Sequence, residues 1–174
     1  MSAYHITGPS GSGKSHVGRE LVDRGYMVVE TDFEPGLSSW AHKATREKAD
    51  APEQPLPLEW VKEHGWYWDG TKLKEIVNRV GNKPVFFVGG AHNEKDFYDL
   101  FDKRFGLFVD TPTLISRLQL REPDRWVDGS QELLNLIAWN EKSKDYNAEH
   151  GAIPIDSSQP VEQVADVILR HIEG

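Results

Sequence analysis

Apolar residues recur along the chain with two different spacings, which indicates strands that alternate with helices. Short β-branched or aromatic runs predict five strands, at residues 4–7, 26–30, 84–89, 106–110 and 152–156. Apolar residues at helical spacing predict helices that begin near Gly13, Asn93, Thr111, Ser130 and Pro160. Asn93 and Thr111 are expected to be the N-caps of their helices. Alternating strands and helices favour an α/β fold with a parallel sheet, since helices form its crossovers.

Residues 34–68 interrupt this alternation and are expected to form an insertion on the substrate side. The segment holds four of the 10 prolines and four of the six tryptophans: Pro35, Pro52, Pro55, Pro57, Trp40, Trp60, Trp66 and Trp68. Such rings must be buried against the sheet or against a ligand. Packing is the expected role of most of them, with Trp40 as the candidate substrate contact. One ring within residues 64–69 is a second candidate, which the sequence does not identify.

Composition and charge restrict the class of protein. The chain has 174 residues, of which 38% are hydrophobic, and fits a single domain over residues 1–174. Its net charge of −8 argues against binding to nucleic-acid polymers or anionic membranes. The lack of cysteine excludes disulfides, cysteine zinc sites and thiol nucleophiles. With neither a spanning apolar run nor a secretory signal, a cytoplasmic monomer or homodimer is expected.

Residues 8–15 carry the most specific motif, because GPSGSGKS matches G-x-x-x-x-G-K-[ST] throughout. Glycines let successive backbone N–H groups turn toward phosphate oxygens, and the following helix adds its positive dipole end. Lys14 is then expected to reach the β- and γ-phosphates of ATP, and the Ser15 hydroxyl to coordinate Mg²⁺. The expected nucleotide-binding residues of this segment are Gly8, Ser10, Gly11, Ser12, Gly13, Lys14, Ser15 and His16.

This motif makes the chain resemble the P-loop NTPases, and within them the small kinases. No strand ends in the usual Walker B acid, and the N-K-x-D guanine motif of switch GTPases is absent. A motor or an AAA-type ATPase is expected to need a longer chain. The resemblance implies a P-loop NTPase fold in which the five predicted strands lie in the order 2-3-1-4-5.

Three further segments are similar to the nucleoside monophosphate kinase and shikimate kinase families. Glu30-Thr31-Asp32 is similar to a D-x-D motif, which implies that Glu30 helps to hold Mg²⁺ and Asp32 orients the acceptor hydroxyl. Arg117 and Arg121 are similar to the R-x-x-x-R of adenylate kinases, which implies adenine stacking and phosphate contact respectively. Residues 155–161, which include Pro160, are similar to the turn that contacts the adenine edge.

Each of these residues also has an ordinary structural interpretation. Asp32 could cap a turn, although the neighbouring phosphate motif favours a role in phosphoryl transfer. Arg121 could pair with Glu122 on a solvated helix end, although a cationic group on so acidic a chain favours phosphate contact. Arg125 is left open between these two roles. Residues 121–129, which include the helix-ending Pro123, are a candidate lid.

The predicted central strand ends in Gly89 and Gly90, where open α/β sheets bind their ligands. Paired glycines permit close backbone approach, so Gly89, Gly90 and Asn93 are candidate acceptor-binding residues. His92 is expected to be an ordinary loop residue.

The sequence therefore predicts an enzyme that moves the γ-phosphoryl group of Mg·ATP to a small acceptor. Lys14, Asp32 and Arg121 are the expected catalytic residues. A nucleoside or nucleotide is the favoured acceptor. A shikimate- or gluconate-kinase-like enzyme acting on a polar metabolite or an antibiotic hydroxyl is the first alternative. A regulatory module that binds ATP without transferring phosphate is the second.

Overall fold

The computed structural model describes residues 2–53, 56–81 and 83–173, so Pro55 lies outside the described residues. The strands are β1 (Ala3–Thr7), β2 (Met27–Glu30), β3 (Ser38–His42), β4 (His64–Trp68), β5 (Val85–Val88), β6 (Lys103–Phe108) and β7 (Ile153–Asp156). The α-helices are α1 (Lys14–Asp23), α2 (Leu58–Glu63), α3 (Gly70–Val80), α4 (Thr111–Arg121), α5 (Gln131–Glu149) and α6 (Val161–Glu173). A 3₁₀ helix spans Glu94–Leu100.

Five parallel strands form the central sheet in the order β2-β5-β1-β6-β7. Counted among the five predicted strands this is 2-3-1-4-5, so the predicted α/β fold and strand order are confirmed. Ala3 pairs with Val85 and Tyr4 with Lys103, which places β1 at the centre of the sheet. The fourth predicted strand begins earlier than expected, at Lys103 rather than at Gly106.

Apolar side chains bury both faces of the sheet. On one face, Ile6 and Phe86 pack against α1 and α6. On the other, Phe87 packs with Trp68 and Leu73, which come from β4 and α3. A third cluster joins α4 to α5. Strands buried on both faces are apolar nearly throughout, and this is the pattern that made β5 recognisable in the sequence.

Within the 34–68 segment, β3 and β4 form a second, antiparallel sheet, and the short α2 lies between them along the chain. Trp68 is 3% exposed and belongs to the main core, which attaches the end of this hairpin to the central sheet. The hairpin is an addition to the expected architecture.

Of the two predicted helix caps, Thr111 is wrong and Asn93 holds its N-cap position without capping through its side chain. Asp110 rather than Thr111 is the N-cap of α4, since its side chain accepts the N–H of Thr113. The side chain of Asn93 makes no cap hydrogen bond, and the helix after it is 3₁₀. None of the described helices combines the length and the apolar character needed to cross a membrane.

Candidate active site

The loop between β1 and α1 has the geometry of a phosphate cradle. Gly8, Gly11 and Gly13 have φ values of 148°, 83° and 96°, which side-chain-bearing residues rarely adopt. A Cβ atom on Gly8 would lie 2.6 Å from the Leu107 carbonyl oxygen. Within the described residues no side chain caps α1, so the first-turn amides of Lys14 and Ser15 are open to a ligand.

Lys14 lies across this loop. Its Nζ donates to the carbonyl oxygens of Gly8, at 2.7 Å, and Pro9, at 2.9 Å. Desolvation lowers the pKa of Lys14 to about 8, with Asp32 opposing that shift and Arg121 adding to it. The buried Ser12 hydroxyl has no partner among the described residues. A half-buried ammonium and an orphaned hydroxyl beside free amides fit a polyphosphate, while Ser15 and His16 stay exposed.

The two arginines of α4 reach the loop in different ways. Arg121 donates to the Ser10 hydroxyl at 3.1 Å, on the solvent side. Arg117 donates to the Ser157 carbonyl at 2.8 Å and lies 3.5 Å from the Ser12 carbonyl. Arg117 thus joins the loop to the turn after β7 that carries Pro160. Its guanidinium is engaged by backbone carbonyls, so adenine stacking by Arg117 stays a prediction.

Arg125 is occupied by carboxylates. It donates to Glu132 at 2.7 Å and lies 3.6 Å from Glu122, which is the structural role left open above. Trp126 beside it is 3% exposed in the cluster between α4 and α5. Residues 121–129 are therefore anchored at their middle, and closure of this segment over ATP stays a prediction.

Asp32 lies where β2 and β5 end side by side. A Cβ atom on Gly89 would be 3.6 Å from Asp32 Oδ1 and 2.0 Å from Thr31 Oγ1, so only glycine fits at position 89. Asp32 Oδ1 accepts a 2.9 Å hydrogen bond from Trp66 Nε1. Asp32 therefore stands between the phosphate loop, where it acts on Lys14, and the hairpin.

Three half-buried rings of the insertion form what we term the tryptophan wall: Trp40, Trp60 and Trp66. The Trp40 ring lies 5.0 Å from that of Trp60 and 5.4 Å from that of Trp66, both edge to face. Trp66 is the ring of residues 64–69 that faces Asp32, whereas Trp68 is a core residue. The substrate contact expected of Trp40 stays a prediction.

Asn93 serves the hairpin rather than the open site. Its Oδ1 accepts the Trp68 N–H at 2.9 Å and its Nδ2 donates to the Trp68 carbonyl at 3.0 Å. Both ends of the amide are thus used by β4, so the structure favours a positioning role for Asn93 over direct acceptor contact. His92, a loop residue as expected, accepts the Trp66 N–H through Nδ1 at 3.2 Å.

Sequence reasoning missed Glu94, a half-buried carboxylate near the base of the loop. It accepts hydrogen bonds from Thr7 Oγ1, at 3.3 Å, and from the Tyr98 hydroxyl, at 3.1 Å. A Cβ atom on Gly90 would lie 3.2 Å from its Oε2. Glu94 also acts to raise the pKa of Lys14. No motif in the sequence distinguishes it from other surface acids.

A bound cation would find few protein ligands here. No group of three histidine or acidic side chains within the described ranges is arranged to hold a metal. Glu30 ends β2, in register with Val88, and the Ser15 hydroxyl is exposed at the start of α1. This sparse oxygen donor set fits Mg²⁺, which keeps several waters and takes further ligands from phosphate.

Comparison with known proteins agrees with the fold and the loop. Residues 5–135 match the AAA_18 family, described as an AAA domain. The expectation that a chain of this length is too short for an AAA-type protein is therefore wrong. Comparison with curated protein sequences gives no match.

Solved structures of three kinases superpose on nearly the whole chain. A shikimate kinase from Acinetobacter baumannii, in complex with shikimate, has a TM-score of 0.59 and 16% identity, covering 99% of this chain and 93% of its own. A deoxyadenosine kinase from M. mycoides with bound dATP has a TM-score of 0.57 and 17% identity, and the match covers 100% of both chains. A gluconokinase from Sinorhizobium meliloti 1021 has a TM-score of 0.56 and 19% identity, and the match covers 99% of this chain and 91% of the gluconokinase. The chain belongs to the AAA_18 family of AAA domains and has the P-loop fold that these small-molecule kinases share.

Proposed function

We propose that the protein is a cytoplasmic ATP-dependent phosphotransferase that moves the γ-phosphoryl group of Mg·ATP to an oxygen atom of a small acceptor. One observation carries this proposal: Lys14 and Arg121 both contact the phosphate loop, and Asp32 lies at the adjacent carboxyl end of β2, beside Gly89. A phosphate loop, an acid for the acceptor and a cation for the transferred charge are the groups that phosphoryl transfer requires.

The acceptor oxygen attacks the γ-phosphorus and the bond between that phosphorus and the β,γ-bridging oxygen breaks, giving ADP and the phosphorylated acceptor. The product is a phosphate ester when the acceptor is a hydroxyl, which Asp32 then orients and deprotonates, and a phosphoanhydride when the acceptor is a nucleotide phosphate. Lys14, the loop amides and Arg121 stabilise charge on the oxygens of the transferred group. Mg²⁺, when bound with ATP, neutralises phosphate charge, and Ser15 and Glu30 are the residues proposed to hold it. Arg117 and the Pro160 turn are proposed for the adenine end.

The favoured acceptor is a nucleoside or nucleotide. The tryptophan wall begins at Asp32, to which Trp66 donates a hydrogen bond, and continues through Trp40. A flat base can stack on such rings. The tryptophan side chains lose little rotamer freedom on binding it, because they already pack against one another. Gly89 and Gly90 are proposed to present their backbone to the acceptor beside Asp32.

The test is ADP release from Mg·ATP with a panel of nucleosides, nucleoside monophosphates, sugar acids and hydroxylated ring acids. Lys14→Ala is the blank and is expected to lose turnover while keeping its fold. Stimulation by a nucleoside or nucleotide supports the proposal in full. Stimulation only by a polar metabolite retains the phosphotransferase and overturns the acceptor class. Tight ATP binding without stimulation by any compound favours a nucleotide-dependent binding module instead.

Trp66 and Trp40 provide a matched pair within the wall. Trp66→Phe keeps a ring but removes the N–H donor to Asp32, so kcat is expected to fall about tenfold with little change in acceptor KM. Trp40→Phe leaves Asp32 untouched and is expected to raise acceptor KM instead. Equal effects of both substitutions on KM and kcat would contradict the separate roles assigned to the two rings.

A further inference from the structure

His5 is a polar residue in the most buried part of the central strand. Its ring is 0% exposed and faces the same side of the sheet as Trp68 and Phe101. The Phe101 ring stacks on it at 5.0 Å and the Trp68 ring meets it edge-on at 5.2 Å. Its Nδ1 has no partner among the described residues. An apolar side chain would avoid that cost, so the ring needs an explanation outside packing.

The one hydrogen bond of this ring identifies its chemical form. Nε2 lies 2.9 Å from the carbonyl oxygen of Gly89. A carbonyl oxygen only accepts, so the proton is on Nε2. Burial lowers the pKa of His5, which keeps the ring neutral with Nδ1 unprotonated. The ring is thus a single, directed donor to the peptide group that follows β5.

This hydrogen bond fixes the direction of the next amide. In a planar trans peptide the N–H points opposite to the preceding carbonyl, so the Gly90 N–H is turned away from His5 and out of the core. No acceptor within residues 2–53, 56–81 and 83–173 pairs with that N–H. Gly89 reaches this conformation at a φ of 141°, with Thr31 closing the space where a side chain would lie.

The position of this amide suggests a use. The Gly89–Gly90 peptide spans from the Asp32 side of the site to Thr7, the residue that precedes the phosphate loop. We infer that His5 is a positioning residue, which holds the Gly90 N–H as a hydrogen-bond donor for a substrate oxygen bound in front of Asp32. The inference rests on the proposed phosphoryl transfer and adds a buried residue to it.

Substitutions at His5 separate the donor from the volume of the ring. Gln and Met have similar length and shape, but only Gln can donate to the Gly89 carbonyl. We expect His5→Met to lower kcat/KM about 10- to 100-fold, because the amide is no longer held in place, and His5→Gln to restore most of it. Both variants should bind Mg·ADP as the wild type does, since His5 does not contact the phosphate loop. Equal turnover of the two variants would overturn the inference.

A ligand-binding measurement on the wild type does not depend on how the variants fold. In protein labelled with ¹⁵N-glycine, the Gly90 amide resonance should shift with Mg·ADP plus aluminium fluoride if the oxygen belongs to the phosphoryl group. It should shift only on adding the stimulating acceptor if the oxygen belongs to that molecule. A Gly90 resonance that neither ligand moves refutes the role of this amide. If the wild type transfers no phosphate at all, the proposed function fails, which is distinguishable from this outcome.

Discussion

At the scale of single residues, Lys14 is expected to couple nucleotide binding to pH. Its ammonium is held against backbone carbonyls, and desolvation brings its pKa to about 8. Bound phosphates favour the charged form, so they raise that pKa again. Above pH 8 the free protein has lost the proton that the complex retains. Binding must then take up a proton, and affinity falls as the pH rises.

The expected size of this effect follows from the pKa. At pH 9, about one Lys14 in ten is charged in the free protein, so the Kd for Mg·ATP should be about tenfold higher than at pH 7. Titration calorimetry at both pH values, in buffers of different ionisation enthalpy, measures the affinity and the proton uptake together. The Lys14→Met variant should bind Mg·ATP weakly, with the same Kd at pH 7 and at pH 9. An unchanged wild-type Kd across this range would contradict the pKa argument.

The residues of the site differ in how far sequence could predict them. Residues 8–15 are contiguous, so the motif was enough to predict a glycine-rich loop between a strand and a helix. Asp32 was found through its place at the end of a strand. The partners of the site are joined across long separations: Trp66 to Asp32 over 34 residues, and His5 to Gly89 over 84. No local pattern encodes such contacts, which exist only once the sheet is assembled.

At the scale of elements, the five parallel strands were predictable because burial on both faces leaves apolar runs. The β3–β4 hairpin was not, because SSWAH is largely polar and HGWYW has rings on both faces, so neither shows clear alternation. Its position depends instead on hydrogen bonds that join the backbone of β4 to the side chains of His92 and Asn93, which follow β5.

Asn93 should therefore contribute to stability as well as to the site. Asn93→Ala leaves the N–H and carbonyl of Trp68 without their partners and is expected to lower the free energy of unfolding by about 1–3 kcal/mol. Acceptor KM should rise too, because Trp66 lies on the same strand. Asn78→Ala, at an exposed position of α3, is the control and should change stability by less than about 0.5 kcal/mol. Urea unfolding compares the two. Similar losses for both variants would show that this docking contributes little.

At the scale of the whole molecule, the elements proposed to bind the nucleotide and those proposed to bind the acceptor meet at one edge of the sheet. Helix α1, which follows the phosphate loop, packs on one face, and α3 and Trp68 of the hairpin pack on the other. The carboxyl ends of β2, β5 and β1 join them at Asp32, Gly89 and the start of the loop. A chain with a net charge of −8 concentrates cations at this edge, namely Lys14, Arg117 and Arg121. An anionic ligand is thus attracted locally by a molecule that repels it overall.

This arrangement predicts how nucleotide stabilises the protein. A ligand that binds only the folded state at 100 times its Kd adds about 2.7 kcal/mol, which for a chain of this length raises Tm by roughly 5–11 °C. We expect that rise with a non-hydrolysable ATP analogue and Mg²⁺, measured by scanning calorimetry. Chelating the Mg²⁺ with EDTA should remove most of it, because phosphate charge then lacks its counterion beside Asp32 and Glu94. Lys14→Ala should keep the Tm of the free wild type and lose the rise. A rise that survives both EDTA and this substitution would mean that the nucleotide binds somewhere other than the β1–α1 loop.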